Sequence, residues 1–600
     1  MQAIILAAGM GKRLKELTND STKCMIKVNN ITLIERMLNQ LDKLSLTQII
    51  IVVGYKADTL IEFVSGLKIK TPIIYINNEI YYKTNNIYSL YLAKDYLLKQ
   101  DTLLLESDLI FEDRLLEILV NNSYHTLALV AKYESWMDGT VVTLDNDNCI
   151  KSFLGKREFS FDDINKYYKT INIYKFSIEF SNTHYVPFLE AYTKALGDNE
   201  YYEQVLKVIA LLEKPEIKAL PIEGLSWYEI DDIQDLDIAE SIFSDSESEK
   251  LKKIEKRYGG YWRYPNMLDF CYLVNPYYPP EKLKNEIKAS FNLLLESYPS
   301  GQGVNSLLAA KYFGVKNENI SVGNGAAELI KGLLESIKGK IGIILPTFEE
   351  YPNRNKDIVS FIPNNKDYSY TSSDIINYFN NNQISSLVLI NPDNPSGNYL
   401  NKDNVISLLE WSKQKNIQLI LDESFIDFSD ENVTFISQEI LNTYQNLIVI
   451  KSISKSFGVP GIRLGIAASG NLDLIKYLKK DISIWNINSF GEYFLQIFEK
   501  YKDSYSNAIN KFKTCRKTFY SSLENIKNLR VISTQSNFIM CEIKNNMTSL
   551  ELTEKLLSQY NILIKNLSSK NGISGEYIRV SIKKQEENII LLNALIDLLK

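Results

Sequence analysis

Near the start of the chain, Ala8-Gly-Met-Gly-Lys-Arg13 follows the apolar run Ala3–Ala7. Glycines at 9 and 11 let backbone N–H groups come close to a polyphosphate. Lys12 and Arg13 add positive charge, and a helix beginning there adds its N-terminal dipole. The string is not GxGxxG, because Leu14 stands where the third glycine would, and it is not a P-loop, which needs Gly-Lys-Ser/Thr. Two acidic tips stand further on: Glu106-Ser-Asp108 after an apolar run, and Glu229-Ile-Asp231 after Trp227-Tyr228. A single acidic residue after a strand is as readily a helix N-cap. Two in similar contexts suit a divalent ion, held against phosphate oxygens by carboxylates. Only two histidines occur, His125 and His184, neither beside a partner, so imidazole acid–base chemistry is not expected. Attack on a phosphorus needs no base when the attacking oxygen is already anionic.

The elements that must hold these groups read as alternating apolar runs and helical patterns, the mark of parallel strands with crossover helices. Strands are predicted at Ala3–Ala7, Ile49–Val53 and Thr102–Leu105, and a helix at Ile31–Leu44. After a charged stretch without aromatic residues, 244–257, the alternation resumes, with strands near Ile341–Leu345, Ser386–Ile390, Gln418–Leu421 and Leu447–Ile450. The 244–257 stretch reads as a solvated helical linker, giving domains at 1–243 and 258–600. The chain has 600 residues, enough for several cores. A net charge of −6 argues against a nucleic-acid partner. Five scattered cysteines without a CxxC pair argue against disulfides and zinc. No run reaches the ~20 apolar residues of a membrane span. The setting expected is cytoplasmic.

Leu6-Ala-Ala-Gly-Met-Gly-Lys-Arg13 with Lys23 resembles the LAAGxGxR…PK signature of nucleotidyltransferases, with Thr22 in place of the usual proline. Asn85-Asn-Ile-Tyr-Ser-Leu90 and both acidic tips resemble the phosphocholine cytidylyltransferase branch. The resemblance implies a Rossmann-like, GT-A-like domain over 1–243 that takes CTP and Mg²⁺. It implies nucleotide contacts from Leu6, Ala8, Gly9, Gly11, Lys12, Arg13, Lys23 and Asn86, with metal on Asp108, Glu229 and Asp231. Lys23 would neutralise charge growing on the phosphates. The acceptor would carry an amine or quaternary ammonium and an anion. Aromatic side chains suit such a cation, and Trp136 with Asp138 is the leading candidate, beside Tyr174, Tyr202, Trp227 and Glu203.

In the second half, Ser452-Ile-Ser-Lys-Ser-Phe-Gly-Val-Pro-Gly-Ile-Arg463 resembles the lysine segment of fold-type I aminotransferases dependent on pyridoxal 5′-phosphate (PLP). The resemblance implies a large α/β and a small α+β domain over 258–600. Lys455 would carry the cofactor covalently and later move protons. Ser452, Ser454 and Arg463 would hold its phosphate, together with backbone N–H groups at Asn324, Gly325 and Ala326. Asp422 would face the ring nitrogen, Asn394 the ring oxygen, and Phe348 the ring face. Arg579 would take a substrate anion as a bidentate fork. Tyr298 would reach the cofactor of a second copy, which implies a homodimer. Phe425 stands where the family's aminotransferases often have tyrosine, and its segment looks more like threonine-phosphate decarboxylase than histidinol-phosphate aminotransferase.

Together the resemblances imply two enzymes on one chain. The pairing expected is transamination of phosphonoacetaldehyde to 2-aminoethylphosphonate, followed by coupling to CTP with release of pyrophosphate. The alternative is phosphocholine or phosphoethanolamine cytidylylation joined to a PLP-dependent decarboxylase or histidinol-phosphate-type aminotransferase.

Overall fold

The computed structural model describes residues 1–212, 217–264, 267–354 and 357–600. The chain falls into two compact units, Met1–Tyr264 and Pro265–Lys600. Among the described residues, no helix is long and apolar enough to cross a membrane.

In the first unit, strand Gln2–Ala7 lies between Ile49–Val53 and Thr102–Glu106, parallel to both. Every residue of Gln2–Ala7 and Ile49–Val53 is buried, which explains why all but Gln2 are apolar: the sheet is covered on both faces. The sheet is mixed, because Tyr168–Phe176 pairs antiparallel with Thr102–Glu106. Alternation sends Leu103 and Leu105 into one core and Leu104 into the other. The helix expected over Ile31–Leu44 begins two residues late. Asn29 and Asn30 both take positive φ (50° and 68°), the geometry of a tight hairpin turn, and Lys27–Val28 pairs with Ile31–Thr32 across it. Thr32 then caps helix Leu33–Asp42, its hydroxyl accepting from Glu35 N at 3.2 Å. After the glycine pair, the helix expected is a 3₁₀ helix, Lys12–Thr18. Helix Glu247–Glu255, capped by Ser246, buries Leu251 and Ile254 and lies within the first unit.

The second unit has a seven-stranded sheet in the order Ile320–Asn324, Leu464–Ser469, Leu447–Ser452, Gln418–Asp422, Ser386–Ile390, Ile341–Ile344, Ile358–Phe361. Leu464–Ser469 is antiparallel to both neighbours, and the strands from Leu447–Ser452 onward run parallel. A separate four-stranded sheet is built from Leu529–Val531, Phe538–Ile543, Tyr577–Ser581 and Lys565–Asn566. The expected fold is therefore present in both units: two mixed α/β assemblies, the second with a large and a small sheet. The parallel strands end at Ile390, Asp422 and Ser452, and the carboxyl ends of such strands are where α/β folds place ligands.

Candidate functional site

In the first unit the acidic tips meet. Asp108 lies in the turn after Thr102–Glu106, and Asp231 follows the short strand Trp227–Glu229. That strand pairs antiparallel with Leu109–Phe111, and Ile230 N donates to Asp108 O at 3.0 Å. Two sequence-distant turns are thus stitched by backbone hydrogen bonds. One carboxylate oxygen from each of Asp108, Glu229 and Asp231 lies within 4.8 Å of the others. A small closure brings them to the about 2.1 Å ligand distance of Mg²⁺. The residues fit such an ion: Asp108 Oδ1 is buried without a hydrogen-bond partner, a group that costs free energy until a cation or donor meets it.

Cations surround the triad. Lys23 Nζ donates to Asp108 Oδ2 at 2.5 Å and to Asp231 Oδ1 at 2.7 Å. Burial alone would lower its pKa, but Asp108 and Asp231 outweigh that, and the net direction is upward. Arg13 Nη2 lies 3.1 Å from Asp231 Oδ2, and its Nη1 3.7 Å from Asp138. Lys169, 1% exposed, lies 3.3 Å from Glu229 Oε2 and donates to Thr170 O at 2.7 Å. Burial raises the pKa of Glu229; Lys169 opposes this, while Asp108 and Asp231 add to it. Gly11 takes φ +60°, and a Cβ there would stand 3.1 Å from Lys23 Cβ. The glycine turn and Lys23 are therefore packed together, flanked by buried Leu6 and Ala8 and exposed Gly9 and Lys12.

The other sequence candidates are dispersed. Asn86 donates to Glu106 Oε1 at 2.8 Å and accepts from Tyr202 N at 2.9 Å, so its amide is engaged internally. Trp136 stacks on Tyr228 at 4.2 Å and lies 5.6 Å from Trp227. Tyr174 and Tyr202 are buried in the core on the other face of the sheet. These aromatic side chains do not form one cage. Asp138, exposed, pairs with Lys156 at 3.3 Å and is joined to the triad's Asp231 by Arg13. Lys169 and Asn172, whose amide lies 3.4 Å from Glu229 Oε1, were not singled out by sequence. Their strand positions, five and two residues before Tyr174, carried only the alternation that places Lys169 on the triad's side.

The second unit brings Asp422, Arg463 and Arg579 near Lys455. Asp422 ends its strand, and Lys455 follows the neighbouring strand's last residue, Ser452, by three positions. Asp422 Oδ1 accepts from Ser424 N at 2.9 Å and Oδ2 from Tyr351 Oη at 2.8 Å. Burial pushes the Asp422 carboxyl up, while Ser424, Tyr351 and Lys455 pull it down. Lys455 is pushed down to about 8 by burial and by the charges of Arg579 and Arg463, against the pull of Asp422. Arg579 Nη1 donates to Asn394 Oδ1 at 2.7 Å and Nη2 to Cys271 O at 2.9 Å, which fixes both predicted partners in one frame. Ser454 Oγ and Arg579 Nε are buried and unpartnered. At Gly325, φ is +77° and a Cβ would stand 2.3 Å from Arg463 Nη2. Only glycine lets this backbone and that guanidinium converge between Asn324 and helix Ala326–Ser336. Orphaned donors, a lysine and a glycine cradle opposite a strand-end aspartate fit PLP.

Residues 266–595 match the aminotransferase class I and II family. The chain belongs to this family. Residues 3–155 match the MobA-like NTP transferase domain, so a nucleotidyltransferase domain precedes the aminotransferase domain, and the chain is a bifunctional enzyme. Along its whole length it is 28% identical over 602 residues to CMP-5′-(3-aminopropyl)phosphonate synthase of Streptomyces rubellomurinus, covering 95% of that protein. Its second half is 34% identical over 349 residues to an L-serine phosphate decarboxylase of Campylobacter jejuni, which is 56% of this chain and 89% of that one. The solved structure of a decarboxylase from Sulfurospirillum multivorans superposes with TM-score 0.52 at 33% identity, over 57% of this chain and 91% of its own.

Within the aminotransferase domain, Phe348 is 39% exposed and Tyr298 82% exposed, the latter packed on Trp485 at 4.7 Å. Phe425 is buried edge-on against Phe538 at 5.3 Å, where a tyrosine hydroxyl would need a partner. Two residues touching this centre were missed from sequence. Asn275 donates twice to the lysine turn, from its backbone N to Lys455 O at 3.0 Å and from its side-chain amide to Ser456 O at 2.9 Å. Tyr351 follows Phe348 in one turn, closed by Tyr351 N donating to Phe348 O at 3.3 Å; that three-residue spacing was the available signal.

Proposed function

We propose that the first unit transfers CMP from CTP to the anionic oxygen of a small ω-amino phosphonate or phosphate, and that the second forms that amine by PLP-dependent loss of an α-carboxylate. The observation carrying this is the full-length similarity to one protein over both halves, joined to the decarboxylase similarity of the second. The two relatives' names fit one chemistry. Replacing the ester oxygen of serine phosphate by CH₂ gives 2-amino-4-phosphonobutanoate. Losing its carboxylate leaves 3-aminopropylphosphonate, the group in the full-length relative's name. The decarboxylation reading replaces transamination of phosphonoacetaldehyde as the preferred one, and it lengthens the 2-aminoethylphosphonate expectation by one atom. Buried Phe425 supports it, since this position offers no hydroxyl.

In the first unit, a divalent ion on Asp108, Glu229 and Asp231 would supply Lewis acidity toward phosphate oxygens. The acceptor oxygen bonds to the α-phosphorus, the bond to the bridging oxygen breaks, and pyrophosphate leaves. Lys23, Lys12 and Arg13 oppose the charge that builds on those oxygens, while Lys169 holds Glu229 in place. In the second unit, PLP supplies an electron sink for the pair left when a bond to the substrate α-carbon breaks. Asp422 would hold the ring nitrogen, Asn394 the ring oxygen, and Ser452, Ser454, Arg463 and the 324–326 turn the phosphate. Lys455 has a free-base fraction near neutral pH for bond formation and for returning a proton to the α-carbon. Arg579 orients a substrate anion. The exposed Tyr298–Trp485 pair supports a homodimer through this unit.

The full chain, given PLP, Mg²⁺ and CTP, tests the reading. Carbon dioxide from L-serine phosphate or 2-amino-4-phosphonobutanoate is expected, with CTP-dependent pyrophosphate release favouring 3-aminopropylphosphonate or ethanolamine phosphate over phosphocholine. Amine formation that needs an amino donor and releases no carbon dioxide would assign transamination instead.

A further inference from the structure

We infer that Lys23 and the divalent ion are alternative partners of one carboxylate pair, so that the ion enters the first unit together with the nucleotide and not ahead of it. This rests on Asp108, Glu229 and Asp231 being the metal ligands. Two of those three carboxylates already share one ammonium: Lys23 Nζ stands 2.5 Å from Asp108 Oδ2 and 2.7 Å from Asp231 Oδ1. All three side chains are only 16–18% exposed, so little water separates them from whatever joins them. An ion at about 2.1 Å from the same carboxylates would lie within roughly 4 Å of that ammonium. Two cations that close, in a site of low dielectric, repel strongly. The bridging lysine and the bound ion therefore exclude each other unless an anion comes between them.

The lysine has a route away. Its stem is anchored beside the glycine turn, with Lys23 Cβ 3.1 Å from the position of a Cβ on Gly11. Its four-carbon chain can swing Nζ from the carboxylates toward phosphates held by that turn while Cβ stays fixed. A triphosphate supplies what the exchange needs: a new counter-charge for Lys23, and oxygens for the ion. Arg13, paired with Asp231 at 3.1 Å and with its side chain 63% exposed, is free to follow. Lys169 is not: it is buried beside Glu229 and tied to Thr170 O at 2.7 Å. The three cations thus divide into one fixed support and two that move. By reciprocity, if the nucleotide strengthens the ion's binding, the ion strengthens the nucleotide's by the same factor.

The test is Mn²⁺ binding by the full chain without nucleotide, read as free Mn²⁺ by electron paramagnetic resonance. Lys23→Met and Lys23→Gln are expected to bind one Mn²⁺ roughly tenfold or more tightly than the wild type. Lys23→Arg, which keeps the charge, is expected to stay weak. Asp231→Asn added to Lys23→Met must abolish the gain, which places the ion at the triad. Equal affinity of wild type and Lys23→Met overturns the exchange but leaves the metal reading standing. Folded Lys23→Met and Lys23→Gln that bind no Mn²⁺ overturn the metal reading itself. If neither neutral variant folds, water-proton relaxation of the wild type decides. Enhancement appearing only with CTP supports the exchange, and full enhancement before CTP overturns it.

Discussion

Two buried lysines, one in each unit, are driven in opposite directions. Lys23 stands between Asp108 and Asp231 and is raised, its carboxylate neighbours outweighing burial. Lys455 stands near Arg579 and Arg463 and is lowered to about 8 by burial and those two guanidiniums, with Asp422 opposing. The side chain is the same, and the sign of the surrounding charge decides its use. An amine held permanently cationic serves to bind and neutralise phosphate. An amine with about one molecule in ten unprotonated at neutral pH can form a bond or carry a proton. The first site collects carboxylates and needs cations, and the second collects cations around a base.

The largest effects should come from removing each lysine in turn. Lys455→Ala is expected to lower carbon dioxide release by about 10³-fold or more, leaving CTP-dependent pyrophosphate release within about twofold. Lys23→Ala is expected to do the reverse, lowering pyrophosphate release by about 10²- to 10³-fold. Equal loss of both activities from either change would break the comparison, because it would mean the units do not work independently. Arginine sharpens it further. Lys23→Arg should recover part of the pyrophosphate activity, since a fixed cation suffices there. Lys455→Arg should recover nothing, since a guanidinium keeps its proton.

A smaller effect tests the cause of the shift at Lys455. Arg579→Gln removes one of the positive charges that disfavour its ammonium, so the pKa must rise from about 8. The free base is present above the pKa and lost below it. The pH at which cofactor-stripped enzyme takes up PLP at half its maximal rate should therefore move upward, read by absorbance. An unchanged midpoint would assign the shift to burial and Arg463, without Arg579.

Much of both sites could be read from the sequence, for one reason. Lys455, Asp422, Asn394 and Arg463 stand at strand ends or in tight turns, where the chain must hold a particular residue type at a fixed offset from an apolar run. Asp108 and Asp231 were legible on the same ground. What escaped was set by tertiary packing. Trp136 carries the right chemistry for a cationic ligand, but Tyr228 covers one of its faces, and no local pattern foretells a stacking partner 92 residues away. Tyr174 fell to the opposite core because strand alternation sends it there, and Tyr202, capping helix Glu203–Ile209, packs against it at 5.8 Å. The helix start at Leu33 was misplaced because Ile31–Thr32, the return strand of the hairpin turned by Asn29-Asn30, was read as part of the helical pattern. Asn275 and Tyr351 act only by touching other site residues, so no motif contains them.

Tyr351 gives the finest test, because it changes no charge. Its hydroxyl donates to Asp422 Oδ2 at 2.8 Å, and Ser424 N holds the other oxygen at 2.9 Å. Tyr351→Phe leaves one oxygen of a buried carboxylate without its donor, a loss of about 1–3 kcal/mol for the charged form. The hydroxyl pulls the Asp422 pKa down, so its loss must raise it, and the carboxylate becomes easier to protonate as pH falls. Carbon dioxide release is expected to drop about three- to tenfold, with the deficit growing toward acid pH and pyrophosphate release unchanged. If turnover and its pH profile stay as in the wild type, Ser424 alone orients Asp422.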